Sequence, residues 1–139
     1  SGYPISECIA YLEQEPVTKQ SSVLQEKLAE LYDAEGKLSD EIDAYEAALK
    51  LHTSPQQRIR IMLALAGTLT LFTQEEKALT LYRRFLKEFP DYPDPLGIYR
   101  KMLPLAVELK KTEEAQYLQK EIERLSPPTR QNKTQADQH

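Results

Sequence analysis

An internal repeat is the feature of this sequence that most restricts its fold. When the chain is shifted by 37 residues, three segments superpose without gaps: LAELYDAEGKLSDEIDAYEAALKLHT (28–53), LAGTLTLFTQEEKALTLYRRFLKEFP (65–90) and MLPLAVELKKTEEAQYLQKEIERLSP (102–127). A period of this kind is typical of arrays in which each unit is one supersecondary element that buries its apolar face against its neighbours.

The superposed columns match in physical character, with apolar residues in most of them and mainly small residues in one. The columns are Leu28, Leu65 and Met102; Glu41, Ala78 and Ala115; Ile42 and Leu79; Tyr45 and Tyr82; and Ala48, Phe85 and Ile122. One further shift places Cys8 under Tyr45 and Leu12 under Leu49, and completes a column of Pro16, Thr53, Pro90 and Pro127. Proline occupies the same repeat position in three of four units. Because Pro16 lies so near the start of the sequence, the first of these units is incomplete.

The composition predicts helix throughout the chain. There are only four glycines and no tryptophan, and the strong helix formers Ala, Leu, Glu, Lys and Gln are abundant. Short turns between helices make neighbouring helices antiparallel hairpins. We predict an all-α chain with helices over about residues 5–15, 22–35, 40–52, 55–72, 74–89, 95–110 and 113–125.

Capping residues mark several of these helix starts. Ser54 before Pro55 and Asp94 before Pro95 each place a capping side chain ahead of a proline at the first helical position. Thr73 begins a Thr-x-x-Glu capping box, and the segment from Ser22 is a further candidate. His52 is predicted to end a helix, where a basic group suits the helix dipole.

Charge and composition exclude several classes of function. The 18 Lys and Arg residues and 22 Asp and Glu residues give a net charge of −4 that is spread along the chain. Nucleic acid is therefore not an expected partner, because binding to its backbone needs a clustered basic face. No apolar run approaches the ~20 residues of a membrane-spanning helix, so direct membrane insertion is not expected. No signal peptide is visible.

Three prolines interrupt the segment YRRFLKEFPDYPDPLGIYR (82–100). Pro90 is predicted to end one helix and Pro95 to start the next, with Asp91, Tyr92 and Pro93 forming the turn. The alternative is an exposed proline-rich ligand for another protein. We favour the hinge between stacked helices, because the segment is acidic and no arginine flanks its prolines.

At these residues the chain resembles the tetratricopeptide repeat (TPR) family. The segments ELYDAEGKLSDEIDAYEAALKL and FTQEEKALTLYRRFLKEFP carry the resemblance, which covers residues 5–127. The family's usual repeat is about 34 residues, so each unit here is longer. Glu41 departs from the small residue that the family prefers. The segment LYRRFLKEFPDYP looks most like a subgroup of bacterial envelope proteins, which favours the periplasmic side of the envelope over the cytoplasm.

The resemblance implies a right-handed superhelical stack of antiparallel hairpins, a TPR-like α-solenoid, with about three and a half hairpins. The predicted domain covers residues 3–127, with a half unit at 3–17 and units at about 22–53, 59–90 and 96–127. The polar segment 128–139 lacks apolar residues and is predicted to be a disordered tail. Pro104 lies inside the sixth helix, where we expect a kink, and a widened groove is the alternative.

The sequence contains no pattern of residues that indicates a catalytic site. Cys8 lies at helical spacing with Ile5, Ile9 and Leu12, which indicates a small buried apolar residue rather than a nucleophile. Neither His52 nor His139 has a partner at the spacing of a metal site, and no glycine-rich phosphate loop is present. We therefore predict a chain that is not an enzyme and uses no cofactor or metal.

A stack of this kind lines its concave side with the first helix of each unit, so equivalent residues there form the expected contact surface. The 37-residue shift predicts one stripe along that surface, acidic at one end, small and apolar in the middle and basic at the other. The stripe contains Glu26, Glu30 and Asp33, then Leu63, Gly67 and Thr70, then Arg100, Pro104 and Val107, with Arg60 and Lys101 beside it. An ordinary solvated face is the alternative interpretation.

These observations predict a noncatalytic scaffold that binds a peptide or a helix of a partner protein. The predicted partner-binding residues are Glu26, Glu30, Arg60, Leu63, Gly67, Thr70, Arg100 and Lys101. The alternative function is self-assembly into a homodimer through the incomplete first unit, whose helix has an unmatched apolar face of Ile5, Cys8, Ile9 and Leu12.

Overall fold

The computed structural model describes residues 4–128. Over these residues the chain forms seven α-helices and one short 3-10 helix, and it contains no strand, so the predicted all-α class is confirmed. The α-helices are α1 (Ile5–Gln14), α2 (Ser22–Ala34), α3 (Leu38–Leu49), α4 (Pro55–Leu71), α5 (Glu75–Glu88), α6 (Pro95–Glu108) and α7 (Thr112–Leu125). The 3-10 helix, Pro16–Gln20, was not predicted. The predicted tail from Thr129 onwards lies outside the described residues.

The helices pack as hairpins of neighbouring elements. α2 packs on α3, α4 on α5 and α6 on α7, and within the first part of the chain α1 also packs on α2 and α3 on α4. The chain divides into two compact units between Pro90 and Asp91, so that α1 to α5 form one unit and α6 and α7 form the other. The division falls in the proline-containing turn between α5 and α6.

The turn inside each hairpin repeats with the period found in the sequence. Gly36, Thr73 and Lys110 lie 37 residues apart and all have positive φ, at 70°, 57° and 59°. Two backbone hydrogen bonds close each turn in the Schellman pattern, as in the first hairpin, where Lys37 N–H donates to the Tyr32 carbonyl at 2.9 Å. This shared conformation supports the 37-residue register independently of side-chain similarity.

The predicted caps at Ser54 and Asp94 are confirmed, and the one at Thr73 is wrong. Ser54 Oγ accepts a hydrogen bond from Gln57 N–H at 3.1 Å, and Asp94 Oδ1 accepts one from Gly97 N–H at 2.9 Å. Thr73 does not cap α5, since its hydroxyl donates to the carbonyl of the preceding residue. Its positive φ places it at the end of the preceding helix, in the turn position that Gly36 holds in the first hairpin.

Ser22 and His52 also differ from their predicted roles. The cap of α2 is Ser21, one residue earlier than Ser22, and its Oγ accepts a hydrogen bond from Leu24 N–H at 3.2 Å. Ser22 Oγ instead donates to the His52 carbonyl at 2.7 Å. Because α3 ends at Leu49, His52 lies in the connection to α4 and does not end a helix.

The apolar columns of the repeat form the core of each unit. The buried members are Leu28, Leu65, Met102, Ile42, Leu79, Tyr45, Tyr82, Ala48 and Phe85. The Phe85 ring also lies 5.3 Å from the ring of Phe89, centroid to centroid. In α1 the buried residue is Ile9, and Cys8, which was expected to be buried, is only half-buried. Within its unit, α1 packs mainly against α2 and the short 3-10 helix.

Candidate functional site

The acidic and the small apolar parts of the predicted stripe lie on two neighbouring helices of the first unit. On α2, Glu26 is buried and Glu30 is exposed; on α4, Leu63 and Gly67 are half-buried and Thr70 is exposed. Within each helix these residues recur at i, i+4 and i+7, which places them on one face. The two helices therefore present the acidic and the small apolar parts of the stripe.

Glu26 and Arg60 form an ion pair between these two helices. Arg60 Nε donates to Glu26 Oε2 at 2.6 Å, and Arg60 Nη2 donates to Oε1 at 2.9 Å. Gln57 Nε2 also donates to Glu26 Oε1, at 3.3 Å. The hydrogen bond from Arg60 keeps the pKa of Glu26 below its usual value. Two of the predicted binding residues are thus occupied with each other and join α2 to α4.

Glu41 on α3 is a functional candidate that stood out in the sequence only as a departure from the family pattern. Its side chain is 2% exposed. Thr68 Oγ1 donates to Glu41 Oε2 at 2.9 Å. Glu41 Oε1 is buried with no donor group beside it among the described residues, and the protonated carboxyl shares a hydrogen bond with the Asp33 side chain. Burial raises the pKa of Glu41 to about 7, and the neighbouring Asp33 carboxylate adds to the rise. Near neutral pH this carboxyl therefore gains or loses a proton.

The buried hydroxyl of Tyr45 lies within the electrostatic reach of four carboxylates. Burial, together with the charges of Glu41, Glu30, Asp33 and Glu26, raises the pKa of Tyr45. These acids lie on α2 and α3, which pack on each other.

Gly67 lies beside open space. A Cβ atom added there would meet nothing within 4 Å outside its own helix backbone and chain neighbours. Tight packing against an adjacent helix therefore does not explain the presence of glycine here. A glycine inside a helix costs about 1 kcal/mol relative to alanine, and no packing contact accounts for that cost.

The basic end of the stripe lies on α6, in the second unit. Arg100 and Lys101 are both exposed, and Arg100 Nη2 donates to Ser126 Oγ at 3.4 Å. α6 continues through Pro104, which is exposed, as is Val107. Both cationic side chains thus lie at the surface of their own unit.

Two concave surfaces of the first unit lie outside the stripe. A cavity of about 700 Å³ lies between α1 and α2 and is lined mainly by Ile5, Cys8, Tyr11, Leu12 and Leu31. A smaller cleft of about 380 Å³ has apolar residues of α3, α4 and α5 as its floor and charged residues at its rim. The α1 cavity includes the apolar face through which self-assembly was the alternative prediction, whereas the cleft was not predicted as a binding site.

The described part of the chain contains neither a candidate metal site nor a candidate membrane span. No group of three or more His, Cys, Asp or Glu side chains among residues 4–128 could hold a metal ion. Over the same residues, no helix combines the length and the apolar character needed to span a membrane.

Comparison with known proteins identifies the fold. No model of a protein family matches the sequence, and no curated protein matches it. The structure is similar to the crystal structure of a protein from Podosopora anserina that is described as a putative kinesin light chain with nearly identical TPR-like repeats. The TM-score is 0.60 at 19% sequence identity, and the match covers 95% of this chain and 69% of the other. This chain therefore has the fold of the TPR-like helical repeat proteins.

Proposed function

We propose that this chain is a noncatalytic protein-interaction module that holds a peptide or helix of a partner against the first helices of its hairpins. TPR-like helical repeats are typically noncatalytic, and stacked helical repeats present extended surfaces to other proteins. In the first unit the proposed contact residues are Glu30 on α2 and Leu63, Gly67 and Thr70 on α4. Glu26 and Arg60 support this surface by joining the two helices.

The open space beside Gly67 is the observation that carries this proposal. A Cβ atom at this position would meet nothing within 4 Å outside its own helix backbone and chain neighbours, so half-buried Gly67 leaves space next to half-buried Leu63. A gap of this kind accepts an apolar side chain of a ligand without displacing any packed residue. Thr70, one turn further along, is exposed beside it.

Selection of peptides from a random library tests the proposal directly. A phage-displayed library is panned against the purified chain, and the affinities of enriched peptides are measured by fluorescence anisotropy. We expect Gly67→Leu to leave the chain folded by circular dichroism and to abolish binding of the enriched peptides. Lys87→Leu, an exposed position on α5, is the control and should bind as the wild type does.

Two results would overturn the proposal. One is a library that yields no enriched peptide against a folded chain. The other is a set of peptides that bind the Gly67→Leu variant as tightly as the wild type but lose affinity for Lys87→Leu. The second result would move the binding surface from the first helices to the second helices of the hairpins.

The basic end of the stripe remains part of the proposal. Arg100 and Lys101, on α6 of the second unit, would contact acidic groups of a ligand, and Arg100→Glu is expected to weaken such binding, with a smaller effect at high salt. Nucleic acid is not a proposed partner. The bacterial origin and the envelope location stay predictions.

Self-assembly is a second candidate function, favoured by the cavity beside α1. Ile5 and Tyr11 line it and are 39% and 63% exposed, and exposed apolar patches of this kind mark association sites. A second copy of the chain would cover this surface through its own α1, in an isologous dimer.

Light scattering coupled to size-exclusion chromatography tests this second candidate over a series of concentrations. We expect a dimer whose mass falls to that of the monomer in a Tyr11→Glu variant. Val17→Glu, which alters an exposed residue outside the cavity lining, is the control. A wild-type chain that stays monomeric at every concentration would exclude the candidate.

A further inference from the structure

We propose that two reciprocal ion pairs, each between Glu7 of one copy and Lys27 of the other, fix the register of a homodimer that forms over the cavity beside α1. This inference rests on self-assembly, the second candidate function, and names the residues that orient the two copies. It concerns only the first unit, where α1 packs against α2.

The surface beside α1 contains both an apolar cavity and exposed apolar side chains. The cavity has a volume of about 700 Å³ and a mainly apolar lining. Ile5 and Tyr11 belong to that lining and are 39% and 63% exposed. An isologous dimer uses the same patch on both copies, so the patch must be complementary to itself. A patch that offers a cavity together with apolar side chains to enter one meets this condition.

Two opposite charges in the lining of this cavity are unpaired within the chain. Glu7 lies on α1 and Lys27 on α2, and both side chains are exposed. Neither forms a salt bridge with another residue in the described part of the chain. Glu26, next to Lys27 in the sequence, pairs with Arg60 instead. One acid and one base therefore remain available at the same surface, one on each helix.

Twofold symmetry turns these two charges into two attractive pairs. In an isologous dimer, a contact from residue i of one copy to residue j of the other is always matched by the contact from j to i. When α1 of each copy lies over α2 of the other, Glu7 meets Lys27 twice. A register that placed Glu7 opposite Glu7 would instead bring like charges together.

The apolar contacts and the ion pairs have different roles in this dimer. Exposed ion pairs contribute little to affinity, so burial of the apolar side chains in the two cavities drives association. Complementary charges across an interface fix its register and reject wrong arrangements. The presence of the cavity, the exposed apolar side chains and one charge of each sign on a single surface favours a second copy over an unrelated partner.

Charge reversal tests the pairs, with the dissociation constant of the dimer measured by sedimentation equilibrium. Glu7→Lys and Lys27→Glu each place like charges opposite one another at two positions, so each should raise this constant about tenfold or more. The double variant carries both pairs with their signs exchanged and should dimerise as the wild type does. Because both residues are exposed, all three variants should keep the helical circular dichroism spectrum of the wild type.

An equimolar mixture of the two single variants gives the sharpest readout. In the mixed dimer both pairs are attractive again, so the mixture should dimerise with close to the wild-type dissociation constant. Mixing cannot restore an ion pair that forms within one chain, so this result is specific to pairs between copies. Glu108→Lys and Lys120→Glu, which alter exposed residues outside the cavity lining, are the charge-matched controls and should dimerise as the wild type does.

The outcomes separate this inference from self-assembly itself. A wild-type chain that stays monomeric at every concentration overturns both. A dimer that Tyr11→Glu disrupts, but that the reversals at Glu7 and Lys27 affect no more than the controls do, overturns the ion pairs and leaves self-assembly standing. A mixture of the two single variants that dissociates as readily as each variant alone also overturns the ion pairs.

Discussion

Replacing Glu41 with glutamine should stabilise the chain, and the gain should grow with pH. Glutamine has nearly the same shape and cannot ionise. Its side-chain carbonyl can still accept the hydrogen bond from Thr68, and its amide can donate towards Asp33. The substitution therefore removes the cost of a buried negative charge while keeping the packing of α3 against α4.

The magnitude follows from the pKa of Glu41. Burial raises the pKa from 4.5 to about 7, which at ~1.4 kcal/mol for each pH unit corresponds to roughly 3 kcal/mol. The direction in which stability changes with pH follows from the raised pKa of Glu41. The protonated carboxyl contributes its full stability below about pH 4.5, and this contribution falls as pH rises until the folded chain also ionises near pH 7. Glu41→Gln and the wild type should therefore differ little near pH 4.5 and by roughly 3 kcal/mol near pH 8.

Urea unfolding followed by circular dichroism measures this difference at a series of pH values. Glu30→Gln, an exposed acid on α2, is the control and should show a much smaller dependence on pH relative to the wild type. A difference between Glu41→Gln and the wild type that stays constant from about pH 5 to about pH 8 would refute the reasoning. So would a destabilised Glu41→Gln variant at high pH.

Further substitutions test the register and the turns by urea unfolding. Phe85→Ala should cost roughly 3–5 kcal/mol, as expected for emptying a buried aromatic site, and a loss below ~1 kcal/mol would mean that the repeat register is wrong. Thr73→Gly and Lys110→Gly should each stabilise the chain by about 1 kcal/mol, because glycine adopts positive φ without strain; a loss of stability in both would contradict the shared turn. Gly67→Ala should stabilise the free chain by up to about 1 kcal/mol, and a melting temperature lowered by several degrees would assign Gly67 to the core instead.

The sequence was sufficient to predict the helices, because their determinants are local and periodic. The 37-residue shift identified the buried columns, including Tyr45, Tyr82 and Phe85, without any structural information. The same shift also places Thr73 and Lys110 under Gly36, and it could have predicted their positive φ. The capping-box pattern at Thr73 was interpreted as a helix start instead. Thr73 in fact lies in the turn that ends the preceding helix, with a positive φ.

The candidate site was harder to predict, because its properties depend on contacts between helices. Glu26 and Arg60 both matched the exposed stripe by spacing, but 34 residues separate them, and no spacing rule indicates that they pair. Glu41 stood out only as an acid in a column of small residues. Its raised pKa depends on burial between α3 and α4 and on the approach of Asp33, which are tertiary features.

The central claim, that partners bind to the first helices of the hairpins, is tested most directly by mapping a bound peptide on the chain. Backbone amide shifts of isotope-labelled protein are recorded by NMR during titration with a peptide enriched from the library. We predict that the largest shift changes occur at Glu30, Asp33, Leu63 and Gly67. Changes concentrated instead around Thr80, in the cleft lined by α3, α4 and α5, with none at Glu30 or Leu63, would contradict the claim.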